Sequence, residues 1–210
     1  MSQVLLVTRP NYDAATTYLF HWSKLVLQLA KKKGNQVVDL PASKANKADL
    51  LGRLQKINPK FIFLNGHGND TTVFGQDDEA LITTKDTMDS FKNMIIYSRS
   101  CSSGKRLGPY SVNKGVKAFI GYTQPFIFIY DPSLATRPLA DKTAGLFLDP
   151  SNMVVTTLIK GHSPTQADKR SKDAFRKNIQ KLLTSETSKE NASAVRFLFW
   201  DMKHQVCLTV

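Results

Sequence analysis

A chain of 210 residues with 41% hydrophobic residues can bury one sizeable core, and no apolar run approaches the roughly 20 residues that span a bilayer. Lys and Arg number 29 against 17 Asp and Glu, a net charge of +12 that favours anionic partners without naming one. Two cysteines, Cys101 and Cys207, exclude a disulfide framework, and no Cys/His cluster has zinc-site spacing, so no metal or cofactor is expected.

Residues 4–8 read as a first strand; the run is too short for a signal peptide and lacks a basic flank, so a cytoplasmic protein is expected. Asp13 opens a helix to Lys33 with Tyr18, Leu19, Trp22, Leu25, Val26 and Leu29 on one face, and Gly34 ends it. A strand over 36–40 stops at Pro41, and Lys47 to Ile57 is a second amphipathic helix. Residues 61–67 form a strand ending at His67, and 68–78 a polar loop. A short helix is expected over 84–91, then a strand ending at Cys101, a region to Asn113 that can begin as a short helix, and a strand over 116–122. An aromatic loop, 123–137, either lines a cleft or simply packs. Helices follow over 140–159 and 165–183, the first broken at Asp149-Pro150. Residues 195–200 and 205–210 read as a terminal β-hairpin. The predicted fold is one α/β domain over 1–210: three layers, a mostly parallel central sheet, helices on both faces and a C-terminal β-hairpin.

Phe61-Ile62-Phe63-Leu64-Asn65-Gly66-His67-Gly68 and Met94-Ile95-Ile96-Tyr97-Ser98-Arg99-Ser100-Cys101 share one design, an apolar run of strand length that ends on a reactive side chain. Continuous apolar runs mark strands buried on both faces of a parallel sheet, where ligands bind beyond the carboxyl ends. If the two strands are neighbours, His67 and Cys101 stand on one rim, imidazole beside thiol, as a cysteine nucleophile requires. Gly68 and Cys101 each offer an amide N–H there. Two such donors aimed at one point stabilise a tetrahedral oxyanion by about 3 kcal/mol each.

His-Gly after one apolar block and Ser-Cys after a second resembles the caspase-like (clan CD) cysteine peptidases, which include caspases, metacaspases, clostripain, gingipain and the CHAT domains. The cysteine strand with Ser102-Ser103-Gly104, the block Asn113 to Tyr122, and the helix Met153 to Lys160 followed by Gly161 and Pro164-Thr165-Gln166-Ala167 are most similar to the CHAT and gingipain branch. The resemblance covers residues 60–183. It implies a cysteine endopeptidase with Cys101 as nucleophile, His67 as general base and acid, Gly68 and Cys101 as oxyanion donors, and Tyr122, which closes the 113–122 block, at the substrate. It also implies a dedicated protein or peptide substrate in a defence or cell-death pathway, with a regulatory partner or activating oligomer.

Arg99 departs from the clostripain-like and metacaspase-like pattern, where an Asp at this position meets a basic P1 side chain. Residues 99 and 101 of an alternating strand share a side, so Arg99 is expected to face the site and grip an acidic P1 carboxylate. The competing reading is an internal pair with Asp or Glu. Two further functions are compatible with these residues. An amidotransferase would place its histidine after the cysteine, at His162 or His204, and would carry Gly rather than Arg99 in its nucleophile turn. A catalytically silent relative or a basic module binding nucleic acid or protein would use the charge, spread over Lys31-Lys32-Lys33 and residues 160–189, which otherwise reads as a solvated surface. Asp77-Asp78-Glu79 reads as a solvated patch or a processing site.

Overall fold

The computed structural model describes residues 3–184 and 189–210. In chain order the elements are β1 (Val4–Arg9), α1 (Ala14–Lys32), β2 (Gln36–Pro41), α2 (Lys47–Ile57), β3 (Phe61–Asn65), β4 (Thr72–Phe74), β5 (Ala80–Thr83), β6 (Ile95–Arg99), α3 (Leu107–Asn113), β7 (Ala118–Tyr122), α4 (Lys142–Ile159), α5 (Pro164–Leu182), α6 (Lys189–His204) and β8 (Gln205–Thr209). Six strands form one sheet in the order β2-β1-β3-β6-β7-β8, parallel except for the last pair. The expected mostly parallel α/β sandwich is therefore present.

Alternation assigns the layers. Leu5, Val7, Phe61, Phe63 and Tyr97 face Tyr18 and Trp22 of α1, Phe147 and Val155 of α4 and Phe175 of α5. Leu6, Ile62, Leu64, Ile96 and Phe119 face α2, α3 and the β4–β5 hairpin through Leu50, Leu54, Leu107 and Ile82. Burial on both sides is why these strands carry no polar alternation.

Several local expectations are corrected. Residues 195–200 are helical: Ala194, Leu198 and Asp201 recur at helical spacing and are buried, so packing overrides the strand propensity of Phe197, Phe199 and Trp200. The C-terminal antiparallel pair exists, but β8 pairs with β7 instead of with 195–200. Pro150 does not break α4. Its missing N–H frees the Leu146 carbonyl, and Asn178 Nδ2 of α5 donates to that oxygen at 2.8 Å. The 68–78 loop contains β4, which pairs with β5 in a two-stranded hairpin, and the helix expected over 84–91 is reduced to one 3-10 turn at Asp89–Phe91.

Candidate active site

β3 and β6 are adjacent and parallel, and their last registered pair is Asn65 with Arg99. His67 and Cys101 each follow two residues later, at matched positions on the rim. Glycine permits the turn between them. A Cβ on Gly66 (φ +143°) would lie 2.2 Å from the Phe74 carbonyl oxygen, and one on Gly68 would lie 2.9 Å from the Cys101 carbonyl oxygen and the Ser100 side chain. The His67 loop is thus pressed against the Cys101 turn.

The sequence marks Asp13 only as a helix start, and it does cap α1: its Oδ1 accepts from Thr16 N at 2.7 Å. Its other oxygen meets His67 Nε2 at 2.6 Å. Burial pushes the Asp13 carboxyl upward, but hydrogen bonds from Thr16 and His67 outweigh it and hold the group below the usual range. With Nε2 donating to this carboxylate, a neutral His67 presents Nδ1 as an acceptor. The Tyr12 ring stands edge-on to the imidazole at 6.0 Å and is itself tied down by its hydroxyl, which donates to Asp78 Oδ1 at 2.5 Å. Asp78 is therefore a fixed partner of the loop that carries Tyr12, beyond the solvated patch it suggested.

Cys101 is half-buried, and its Sγ donates to the Phe126 carbonyl at 3.8 Å. Burial, with a smaller push from the Asp201 carboxyl, raises its thiol above the ordinary range, so in this arrangement the group is protonated near neutral pH. The aromatic loop that covers it is held from two sides. Ser102 N donates to the Gln124 carbonyl. From α6, Trp200 Nε1 donates to the Pro125 carbonyl at 3.0 Å, and Asp201 Oδ1 accepts from Ile127 N at 3.0 Å. Among the described residues Asp201 Oδ2 is buried with no partner, and burial holds this carboxyl well above its usual range. Asp201 carries no sequence motif; only the docking of α6 brings it near Cys101.

The two expected oxyanion donors are both unengaged among the described residues. Gly68 and Val73 form a non-hydrogen-bonded pair, flanked by bonds from Phe74 N to the His67 carbonyl and from Asn69 N to the Thr72 carbonyl, so the Gly68 N–H lies outside the ladder. The Cys101 N–H likewise has no partner among them.

Arg99 and Tyr122 are corrected as substrate contacts. Arg99 is 0% exposed, at the last residue of β6 and two positions before Cys101, under α1 and α4. Its Nε and one terminal nitrogen donate to Asn65 Oδ1, the other to Asn152 Oδ1 at 2.9 Å, and a further bond reaches the Leu19 carbonyl at 3.2 Å. The guanidinium carbon lies 4.9 Å from the centre of the Phe63 ring. The internal partners are neutral oxygens rather than the Asp or Glu of the competing reading, and burial pushes the guanidinium down to about 10. Tyr122 is also fully buried. Its hydroxyl lies 3.3 Å from that of Tyr97 and from Gln205 Oε1, and its ring supports Phe126 at 4.7 Å.

The later histidines sit apart. His162 occupies the turn between α4 and α5. His204 ends α6 with its ring 4.3 Å from Trp200 and Nδ1 facing Thr123 Oγ1. Both cysteines are free. Among the described residues no cluster could hold a metal ion, and no helix is long and apolar enough to cross a membrane.

No protein-family model matches the chain, and no curated protein matches it. Solved structures do. A complex of the pro- and mature domains of Porphyromonas gingivalis RgpB superposes with a TM-score of 0.61 at 10% identity, over 99% of this chain and 47% of that one. The Arg-specific cysteine proteinase gingipain R (RgpB) superposes with the same score and identity, over 99% of this chain and 46% of that one. The chain thus spans about half the length of these neighbours and is similar to them in fold, the caspase-like sandwich that its two strand motifs suggested.

Proposed function

We propose that this chain is a cysteine peptidase domain in which Cys101 attacks a peptide carbonyl and His67, oriented by Asp13, transfers the protons. The observation that carries the reading is the Asp13–His67 contact at 2.6 Å, at the rim position that register matches to Cys101. A histidine held by a carboxylate keeps one tautomer and one orientation, as a base beside a nucleophile needs. His67 Nδ1 takes the thiol proton, and sulfur adds to the carbonyl carbon. The Gly68 and Cys101 amides then receive the oxyanion. Collapse breaks the C–N bond, His67 protonates the departing amine, and water, deprotonated by the same imidazole, hydrolyses the thioester and returns the thiol.

For sulfur to reach His67 it exchanges its 3.8 Å contact with the Phe126 carbonyl for the imidazole, a change that rotation of the Cys101 side chain provides. The solved complex of RgpB with its pro-domain supports the idea of a regulatory partner here, and a dedicated protein substrate in a defence or cell-death setting rests on the resemblance alone. Acidic P1 preference loses its basis with the burial of Arg99 and is no part of the reading. The test is labelling by a cysteine-directed peptide electrophile carrying varied P1 residues, together with turnover of the matching fluorogenic peptides. Labelling should vanish in Cys101→Ala. Turnover should fall by about 10²–10⁴-fold in His67→Ala, while His162→Ala and His204→Ala stay near wild type. Labelling that persists in Cys101→Ala, or dependence on His204 in place of His67, overturns it.

A further inference from the structure

The amino ends of the parallel strands form the edge opposite the rim, and there the chain places lysine after lysine. Lys60 and Lys117 immediately precede β3 and β7, and Lys92 stands three residues before β6. Bonds from Lys60 N to the Val4 carbonyl, from Ile95 N to the Lys60 carbonyl and from Lys117 N to the Met94 carbonyl fix them side by side along the sheet. Helices that return between parallel strands deliver their carboxyl ends to the same edge. Accordingly α1 ends in Lys31, Lys32 and Lys33, α2 carries Lys56 in its last turn, and Lys114 and Lys160 cap α3 and α4. All of these side chains are exposed.

The ordinary explanation is compensation of helix dipoles, and its magnitude is insufficient. Four helix ends supply at most about −2 of charge. Within the row Lys92 is paired with Asp89 at 2.7 Å, and nearby Asp86 is held by Lys47 at 2.6 Å; none of the other lysines named has a carboxylate partner within salt-bridge distance among the described residues. Much of the net +12 therefore projects from this one edge, along a row about 20 Å long from β2 to β7. Lysines are mobile point charges that meet phosphates without reading bases. Surface-lying membrane binders add large apolar side chains to such charge. Among the described residues the exposed large apolar ones are Leu25, Leu139, Leu183 and Phe199, on helices or loops away from the strand starts, and Val210, which lies beyond the end of β8 and adjoins those starts.

We propose that this lysine edge binds the phosphodiester backbone of a nucleic acid without sequence preference, leaving the rim at the other end of the strands free. The proposal stands independently of any activity of Cys101. The test is fluorescence polarisation with labelled random-sequence single-stranded and duplex oligonucleotides across about 50 to 200 mM salt. Wild type should bind with a steep salt dependence. The triple variant Lys33→Glu, Lys60→Glu, Lys117→Glu should lose at least about tenfold in affinity, with the log–log salt slope shallower by about 3. The milder triple exchange to Gln should do the same in lesser degree and covers the case in which charge reversal unfolds the chain. A control triple at the rim, Lys44→Glu, Lys105→Glu, Arg137→Glu, makes the same change in net charge and should stay within about threefold of wild type. Absence of binding at the lowest salt, equal loss in edge and rim triples, or binding to phosphatidylserine vesicles but not to oligonucleotides overturns the proposal.

Discussion

The two ends of the same strands use their charged groups in opposite ways. At the carboxyl end, the charges around the candidate site are paired inward and fixed: Asp13 with His67, Arg9 with Asp39 at 2.6 Å, Tyr12 with Asp78, and Arg99 with two side-chain amides just below. At the amino end, lysines extend into solvent from strand starts and helix ends. The rim is thus built for geometry, with side chains immobilised before anything binds, and the opposite edge for field, with mobile charges that need no fixed positions. The difference follows from the fold itself, because the amino ends of α1 to α4, with Asp13 and Asp141 capping α1 and α4, meet the rim, whereas the carboxyl ends of the same helices attract cations to the other side.

This contrast predicts unequal sensitivity to substitution. Arg99→Leu leaves the Asn65 and Asn152 oxygens buried without donors and should destabilise the fold by about 3–5 kcal/mol, whereas Lys117→Gln at the far edge should stay within about 0.5 kcal/mol. Urea unfolding measures both, and comparable losses would erase the distinction. Next in size, Asp13→Asn should lower peptide turnover by about tenfold to a hundredfold with little change in electrophile-probe binding, because Nε2 loses its charged acceptor while Cys101 is untouched. The depressed Asp13 carboxyl also stabilises the fold above the ordinary carboxylate range, and this contribution is lost as pH falls through its own lower pKa. Unchanged turnover in Asp13→Asn would leave the contact as a helix cap alone.

The smallest effect concerns Asp201. Its folded pKa is raised, so the unfolded chain releases this proton first and stability declines as pH rises from the usual carboxylate range toward the raised value. Asp201→Asn keeps an oxygen for Ile127 N and should flatten that decline, making the variant more stable than wild type at about pH 8 and nearly equal at about pH 4. Urea midpoints across pH read it out. A variant less stable at every pH would show that the carboxyl is satisfied in a way the unpartnered Oδ2 does not suggest.

Much of this architecture was legible in the chain. The strands ending at His67 and Cys101 announced themselves because burial on both faces leaves an unbroken apolar run, and Gly66 and Gly68 marked the turn that brings their ends together. The 195–200 segment misled because aromatic and β-branched residues suit a strand or a buried helix equally, and only its packing against α5 decides. Arg99 misled for a related reason. Alternation told which side it faces but not that α1 and α4 roof that side.

Properties carried by neighbours along the chain follow from the residues alone: strand and helix periods, the α1 cap, the rim positions of His67 and Cys101, and the excess of lysine. Which distant groups share a dielectric and a hydrogen bond is settled by packing. His67 meets Asp13 because β1 lies beside β3, Cys101 lies under Phe126 and near Asp201 because α6 docks on the loop after β7, and the lysines form a row because parallel strands all begin at one edge. Local propensities are summed residue by residue, whereas a partner's identity depends on strand order and on which helix covers which face.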